Sequence, residues 1–180
     1  MKKMLIIFIM IGLCIGFFFM VNNRKFETTD KSKKIDIEAN LKEQNEKLDK
    51  NYPSEPKEII EIHNQLMSYL YSQNMKDEYI ELYVDTVRKL YDKELLDLNT
   101  KIDQKNFIIM DREKNKEKPM KLLGSKIEEV TINNAEAEIK VIHYLDKGDL
   151  SRIYTLKRES GLWKILSWES AKENSDNAEE

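Results

Sequence analysis

Four hydrophobic patterns follow one another along the chain: a solid run, a sparse scatter, a helical period and a strand alternation. The solid run is Met4 to Val21, eighteen residues without a charge. That is at the short end of the roughly 17–25 residues that carry a helix across a bilayer core. Backbone groups in hydrocarbon must satisfy one another, so a lone segment there has to be helical. From Asn22 to Asn51 Lys, Glu, Asp and Asn dominate, with Ile35, Ile37, Leu41 and Leu48 thinly spread. Ile37, Leu41, Gln44 and Leu48 fall at helical spacing, but two heptads are short of a coiled-coil signature. Their polarity predicts a solvated, partly helical tether.

The helical period opens after Tyr52-Pro53-Ser54-Glu55-Pro56. Proline fits a first helical turn, and Ser54 is a candidate cap. Ile59, Ile62, Leu66, Met67 and Leu70 make the apolar stripe, and Asn74 is a candidate stop. A second helix is expected over about five turns, with Ile80, Tyr83, Val84, Val87, Leu90, Tyr91, Leu95 and Leu98 on one face. Thr100 and Asp103 then resemble a capping pair for a weaker third helix carrying Ile102, Phe107 and Ile109.

After Pro119 the period changes to alternation. Strands are expected over Ile127–Ile132, Glu136–Leu145, Leu150–Arg158 and Leu162–Trp168, with turns at Asn133-Asn134, Asp146-Lys147-Gly148-Asp149 and Ser160-Gly161. Short turns require antiparallel neighbours. The reading is an α+β domain, two or three N-terminal helices packed on a four-stranded antiparallel curved sheet, preceded by a single transmembrane helix. Trp163 and Ile165 should face the core, and Lys164 the solvent. The boundaries are 1–3 for a basic head, 4–21 for the anchor, 22–51 for the charged linker, 52–169 for the domain and 170–180 for a disordered acidic tail.

Composition narrows the function classes. The 180 residues hold one Cys, five Gly and three Pro, which excludes a disulfide scaffold, a Cys-rich zinc module and collagen. A net charge of −3 and an isoelectric point near 5.6 give no global pull toward nucleic acid or anionic lipid. The bulky stretch Phe17-Phe18-Phe19-Met20-Val21 lacks the small residues of a signal cleavage site, and Cys14 follows Leu13 where a lipoprotein needs small residues. An uncleaved anchor is therefore favoured over a cleaved signal or a lipid-modified Cys14. Orientation has two opposed signals. Arg24, Lys25, Lys31, Lys33 and Lys34 outnumber Lys2 and Lys3, which favours a cytoplasmic domain. The short basic head before an apolar run resembles a secretory signal, and long domains translocate regardless of charge. The expected location is the cell membrane with the C-terminal domain outside the cytoplasm.

The helices followed by a meander ending Ser160-Gly161-Leu162-Trp163-Lys164-Ile165 resemble the cone-shaped nuclear transport factor two-like superfamily. The anchor, the charged tether and the segments IIEIHNQLMSYLY and VRKLYDKELLDLN also resemble small membrane-anchored proteins of Gram-positive bacteria. The superfamily resemblance covers roughly Pro53 to Glu169 and implies a Trp and an Ile packed under the helices. Its members include isomerases, dehydratases and non-catalytic binding or assembly domains, so it implies a fold rather than an activity.

Candidate chemistry is sparse. His143 shares a strand face with Ile139 and Val141, and is the candidate acid–base group, with Asp85 or Tyr83 as partner. A lone His on an apolar strand face is more often a hydrogen-bonded core residue, and the same holds for His63. Tyr83, Tyr91, His143 and Trp163 are candidates to line a ligand pocket, although tyrosines at helical spacing more often pack a core. No metal site, cofactor, nucleophile elbow or phosphate loop is legible in the sequence. Lys157, Arg158 and Lys164 alternate with acids, which argues against nucleic acid. Two readings stand: a non-catalytic module binding an envelope protein, peptide or ligand, and a small-molecule enzyme or carrier using His143 in an interior pocket. The expected partners are the lipid bilayer through residues 4–21 and an envelope protein or peptide.

Overall fold

A computed structural model describes residues 36–171. The expected anchor at 4–21, and the acidic tail beyond Ala171, lie outside the described residues. In chain order the elements are α1 (Ile37–Lys50), α2 (Pro56–Leu70), a 3-10 turn (Asp77–Tyr79), α3 (Ile80–Arg88), α4 (Lys93–Leu98) and α5 (Lys101–Lys114). Four strands follow: β1 (Leu122–Asn133), β2 (Glu136–Leu145), β3 (Leu150–Glu159) and β4 (Leu162–Ser170). They form one antiparallel meander in the order β1-β2-β3-β4. The α+β architecture is as expected, with five α-helices among the described residues in place of two or three. No helix among the described residues is long and apolar enough to cross a membrane.

The turns follow their residues. Asn134 takes φ 55°, Ser160 φ 51° and Gly161 φ 85°, the left-handed backbone of a tight hairpin. Thr100 caps α5 by accepting from the Asp103 amide at 3.2 Å while its hydroxyl donates to the Asp103 carboxylate at 2.6 Å. Two local expectations fail. Pro56 opens α2 with Glu55, not Ser54, at the cap position and no side-chain cap bond. The same helix stops at Leu70, before Asn74, which stays out of the left-handed region.

The largest difference lies in the stretch expected to be a tether. Asp36 caps α1, accepting from the Ala39 amide at 3.0 Å. Ile37, Leu41 and Leu48 then enter the core at 2%, 0% and 4% exposure. Their spacing was visible, but three apolar residues among so many charges give a weak stripe. What stabilises α1 is the surface of α3 against which it packs. The domain therefore begins at about residue 36, and Ile37–Lys50 is a packed helix of it instead of a linker.

The expected five-turn helix is also two shorter ones. α3 ends at Arg88, and the chain straightens so that Tyr91 bridges Ile165 of β4 in parallel. Ile165 donates its amide to the Leu90 carbonyl at 2.8 Å, and the Asp92 amide donates to the Ile165 carbonyl at 2.9 Å. Asp92 then caps α4, accepting from the Glu94 amide at 2.7 Å. Helical periodicity survives the break, because the apolar residues on both sides point to the same core. The weak third helix exists, but its inward residues are Ile108 and Ile109; Ile102 and Phe107 face solvent.

Trp163 and Ile165 face the core at 3% and 0% exposure. Lys164 is not a plain surface residue. Its ammonium donates to the Lys89 carbonyl at 2.5 Å and lies 4.1 Å from the centre of the Tyr52 ring. Burial lowers its pKa.

These contacts predict the stability ranking. Leu41→Ala should cost about 2–5 kcal/mol in urea unfolding, because a core methyl cluster is replaced by a cavity. Lys164→Ala should cost about 1–2 kcal/mol through its charge-assisted bond and ring contact. A fragment starting at Tyr52 should be markedly less stable than one starting at Asp36. Equal midpoints for the two fragments would show that α1 is a tether after all.

Candidate functional site

The inward face of β2 reads Ala137, Ile139, Val141 and His143, and the inward face of β3 reads Arg152, Tyr154 and Leu156. The register continues into β1, where Ser125 stands opposite His143. A bulge between Thr155 and Leu156 shifts the phase of β4. Trp163 and Ile165 point inward before it, and Trp168 stands opposite Tyr154 after it. Simple alternation would have turned Trp168 outward, which is why it escapes a reading of the sequence.

His143 is fully buried and held on both ring nitrogens. Its Nδ1 lies 2.8 Å from Ser125 Oγ and its Nε2 lies 3.0 Å from the Tyr154 hydroxyl. One nitrogen donates and the other accepts in either tautomer. His63, from α2, sits on the other side of Tyr154, with ring centres 5.3 Å apart in an edge-on arrangement. Tyr91 and Trp168 close the group, each 6.1 Å from the His63 ring. The fold thus joins both histidines to one aromatic cluster. His63 Nδ1 has no hydrogen-bond partner among the described residues.

Both imidazoles are kept neutral. Burial, then the nearby His143 and Arg152, lowers His63 to about 3. Burial, then Arg152, lowers His143 to about 4. A base with that pKa and no free nitrogen is a poor proton acceptor near neutrality. Ser125 beside His143 has the spacing of a nucleophile and its base, but the third member is Tyr154, whose hydroxyl burial pushes upward, and not a carboxylate.

The partners expected for His143 are elsewhere. Asp85 is half-exposed and bonds Lys101 at 2.6 Å. Tyr83 is buried in the core, and burial raises its hydroxyl pKa well above the usual value. Tyr91 is buried beside His63, with its hydroxyl raised for the same reason. Trp163 closes the far end of the core under the Arg158 guanidinium, 5.2 Å from the ring centre, and lies outside the histidine cluster. Of the four pocket candidates, His143 and Tyr91 belong to the cluster, and Tyr83 and Trp163 serve as packing. Ser125, Tyr154 and Trp168 are what the sequence reading missed, and His63, expected as a core residue, joins them.

Open space lies outside this cluster. A groove of about 380 Å³ runs between the end of α2, α5 and the segment leading to β1, lined by Leu70, Tyr71, Phe107, Ile108 and Met120, with Lys121 at its edge. Arg112 beside it donates to the Met75 carbonyl at 2.7 Å and to Asp77 at 3.2 Å. Among the described residues no group of three or more His, Cys, Asp or Glu is placed to hold a metal ion.

A family profile described as a domain of unknown function, DUF6715, matches residues 1–168. The chain belongs to the DUF6715 family. The match runs through the apolar run and the domain alike. No curated protein matches this DUF6715 chain. Among solved structures, the intermembrane space region of the chloroplast protein ARC6 gives a TM-score of 0.39 at 11% identity, over 63% of this chain and 92% of that one.

The two neutral histidines set a pH dependence. Each has a folded pKa below its unfolded value of about 6.5, so the unfolded chain binds more protons below that pH and stability is lost on acidification. From pH 6.5 to pH 5 each should remove about 1.5 kcal/mol of unfolding free energy, before most carboxylates titrate. His63→Leu should remove about half of that slope in urea titrations at the two pH values. An unchanged slope would mean that His63 is accessible to protons in the folded protein.

Proposed function

We propose that this DUF6715 chain is a single-pass membrane protein, anchored by residues 4–21, whose α+β domain lies outside the cytoplasm and acts as a non-catalytic binding module. The carrying observation is the contrast between a filled interior and an open groove. The concave sheet face is occupied by α2 and by the aromatic–histidine cluster, where both nitrogens of His143 are engaged. The groove beside it is open and mostly apolar, with Phe107 71% exposed at its wall. Apolar space with a few polar groups at the rim suits an apolar side chain of a protein or peptide partner. Helices laid across a four-stranded meander support placing the domain in the nuclear transport factor two-like superfamily, whose members include such modules.

The Ser125–His143 contact favours a second reading, an enzyme of acyl transfer. Ser125 sits within a paired strand instead of a sharp turn, and His143 lacks an orienting carboxylate. A fluorophosphonate probe separates the two readings, since only an activated serine reacts.

In the fragment 36–171, which holds every buried core residue of the described chain, the apolar dye anilinonaphthalene sulfonate should bind at the groove. Phe107→Asp should weaken it by about tenfold, roughly 1.4 kcal/mol, and leave folding stability within about 0.5 kcal/mol. His143→Gln should leave dye binding intact at a temperature where the variant is folded. Dye binding that depends on His143 and not on Phe107, or a fluorophosphonate adduct at Ser125, would move the site into the cone and overturn the proposal. For the anchor, the full chain should resist alkaline carbonate extraction with its N-terminus intact, and alkaline phosphatase fused after Glu180 should be active. A mature N-terminus near Asn22 would replace the anchor with a cleaved signal, and an inactive fusion would reverse the orientation.

A further inference from the structure

Four of the five most exposed large apolar residues lie on α4 and α5, the fifth being Leu123 of β1. Leu98, at the end of α4, is 86% exposed, and Ile102, Phe107 and Met110 along α5 are 70%, 71% and 69% exposed. On a helix of 3.6 residues per turn, Ile102, Asn106 and Met110 share one outward stripe, with Phe107 turned toward the groove. Ile108 is the only buried residue of α5, at 8% exposure. A helix so weakly held from beneath exposes an apolar face larger than its own packing explains.

The charge near this face differs from that of the whole chain. The whole chain carries −3, yet Lys101 to Lys121 holds seven Lys or Arg against four Asp or Glu. Lys101 and Lys105 are engaged with Glu81 and Asp85. Lys114, Lys116, Lys118 and Lys121 are exposed and make no ion pair among the described residues. Lys116 and Lys121 line the same groove as Phe107, so the basic segment adjoins the apolar face. Asp103, Asp111, Glu113 and Glu117 interrupt it, the first tied to Thr100 and the second to Asn115. Exposed apolar side chains beside unpaired lysines suit a membrane interface, where the first enter the acyl boundary and the second meet anionic headgroups.

We infer that the outer face of α4 and α5 docks on an anionic bilayer surface, with Leu98, Ile102 and Met110 inserted at headgroup depth and Lys114, Lys116, Lys118 and Lys121 against the headgroups. This rests on the reading of residues 4–21 as an anchor. Fifteen residues, Asn22 to Asp36, then separate the bilayer from α1. At about 3.3–3.6 Å per extended residue they span up to roughly 50 Å, so they allow this face to reach the surface. Each basic group near an anionic surface adds to the attraction, which ionic strength screens. The groove mouth at Phe107 would then open beside the membrane, where a partner embedded in it could enter.

The test uses the full chain in lipid nanodiscs, with Cys14→Ser removing the native thiol. A fluorophore is attached to Met110→Cys or, as a control on the outer sheet face, to Glu138→Cys, and quenched by nitroxides on the lipid chains. In discs of phosphatidylcholine and phosphatidylglycerol, quenching at position 110 should exceed that at 138 by about threefold. It should fall to the control level in phosphatidylcholine alone, and when the four lysines are changed to Gln. Equal quenching at 110 and 138 in the anionic discs would overturn the proposal. So would a label that lipid never reaches but that native envelope vesicles shield, since a protein would then cover the face. Either result leaves the dye-binding test of the groove standing, and carbonate extraction judges the anchor separately.

Discussion

The short parallel bridge between Leu90–Asp92 and Ile165 ties the two halves of the domain together. Without it, β4 would be a free sheet edge with unpaired amides and carbonyls, a template for unwanted pairing. The bridge satisfies Ile165 on that side and ends α3 at Arg88. It also brings Lys89 beside β4, so that its carbonyl accepts from Lys164 while the Tyr52 hydroxyl donates to the Trp163 carbonyl at 2.9 Å. Lys89 itself reaches back to Asp49 at 2.6 Å and the Asn45 carbonyl at 3.0 Å. One strand edge thus collects α1, the Tyr52 entry, α3 and β4 at a single seam.

The same seam arranges the interior. Holding Tyr91 against β4 puts its ring 5.8 Å from Trp168, and both enclose His63. Water is thereby kept from two histidines that would titrate near neutrality in an open chain. Their neutrality follows from burial beside Arg152, and each nitrogen of His143 is matched to a hydroxyl. Such a network specifies a packed core, because any misplacement leaves a buried polar group unmet.

The helices cover one face of the sheet, and apolar surface remains on the outside of the domain. α5 contributes little to the core and keeps its apolar residues in solvent, next to the groove and the free lysines. Binding energy is available where apolar surface remains to be covered, and here that surface lies on α4, α5 and the segment before β1. The sheet face already covered by α2 has little left to offer.

The strand order, the hairpin turns and three of the strands were legible in the sequence, because alternation and turn residues are local properties; β1 begins at Leu122, five residues before the expected Ile127, and the added stretch carries Ser125. Trp163 and Ile165 were placed correctly for the same reason, as was the Thr100 cap. The role of α1 was not legible: Ile37, Leu41 and Leu48 form a stripe too thin to hold a helix alone, and its stability comes from α3. Nor was the break after Arg88, since both pieces keep their apolar residues in phase and the strand that interrupts them lies more than seventy residues away. The site follows the same rule. His143 on an inward face could be read from alternation, but its partners Ser125 and Tyr154 come from register across three strands, and Trp168 enters only because a bulge reverses the phase of β4. Local pattern determined which segments form helices and strands; long-range pairing alone decided which residues meet.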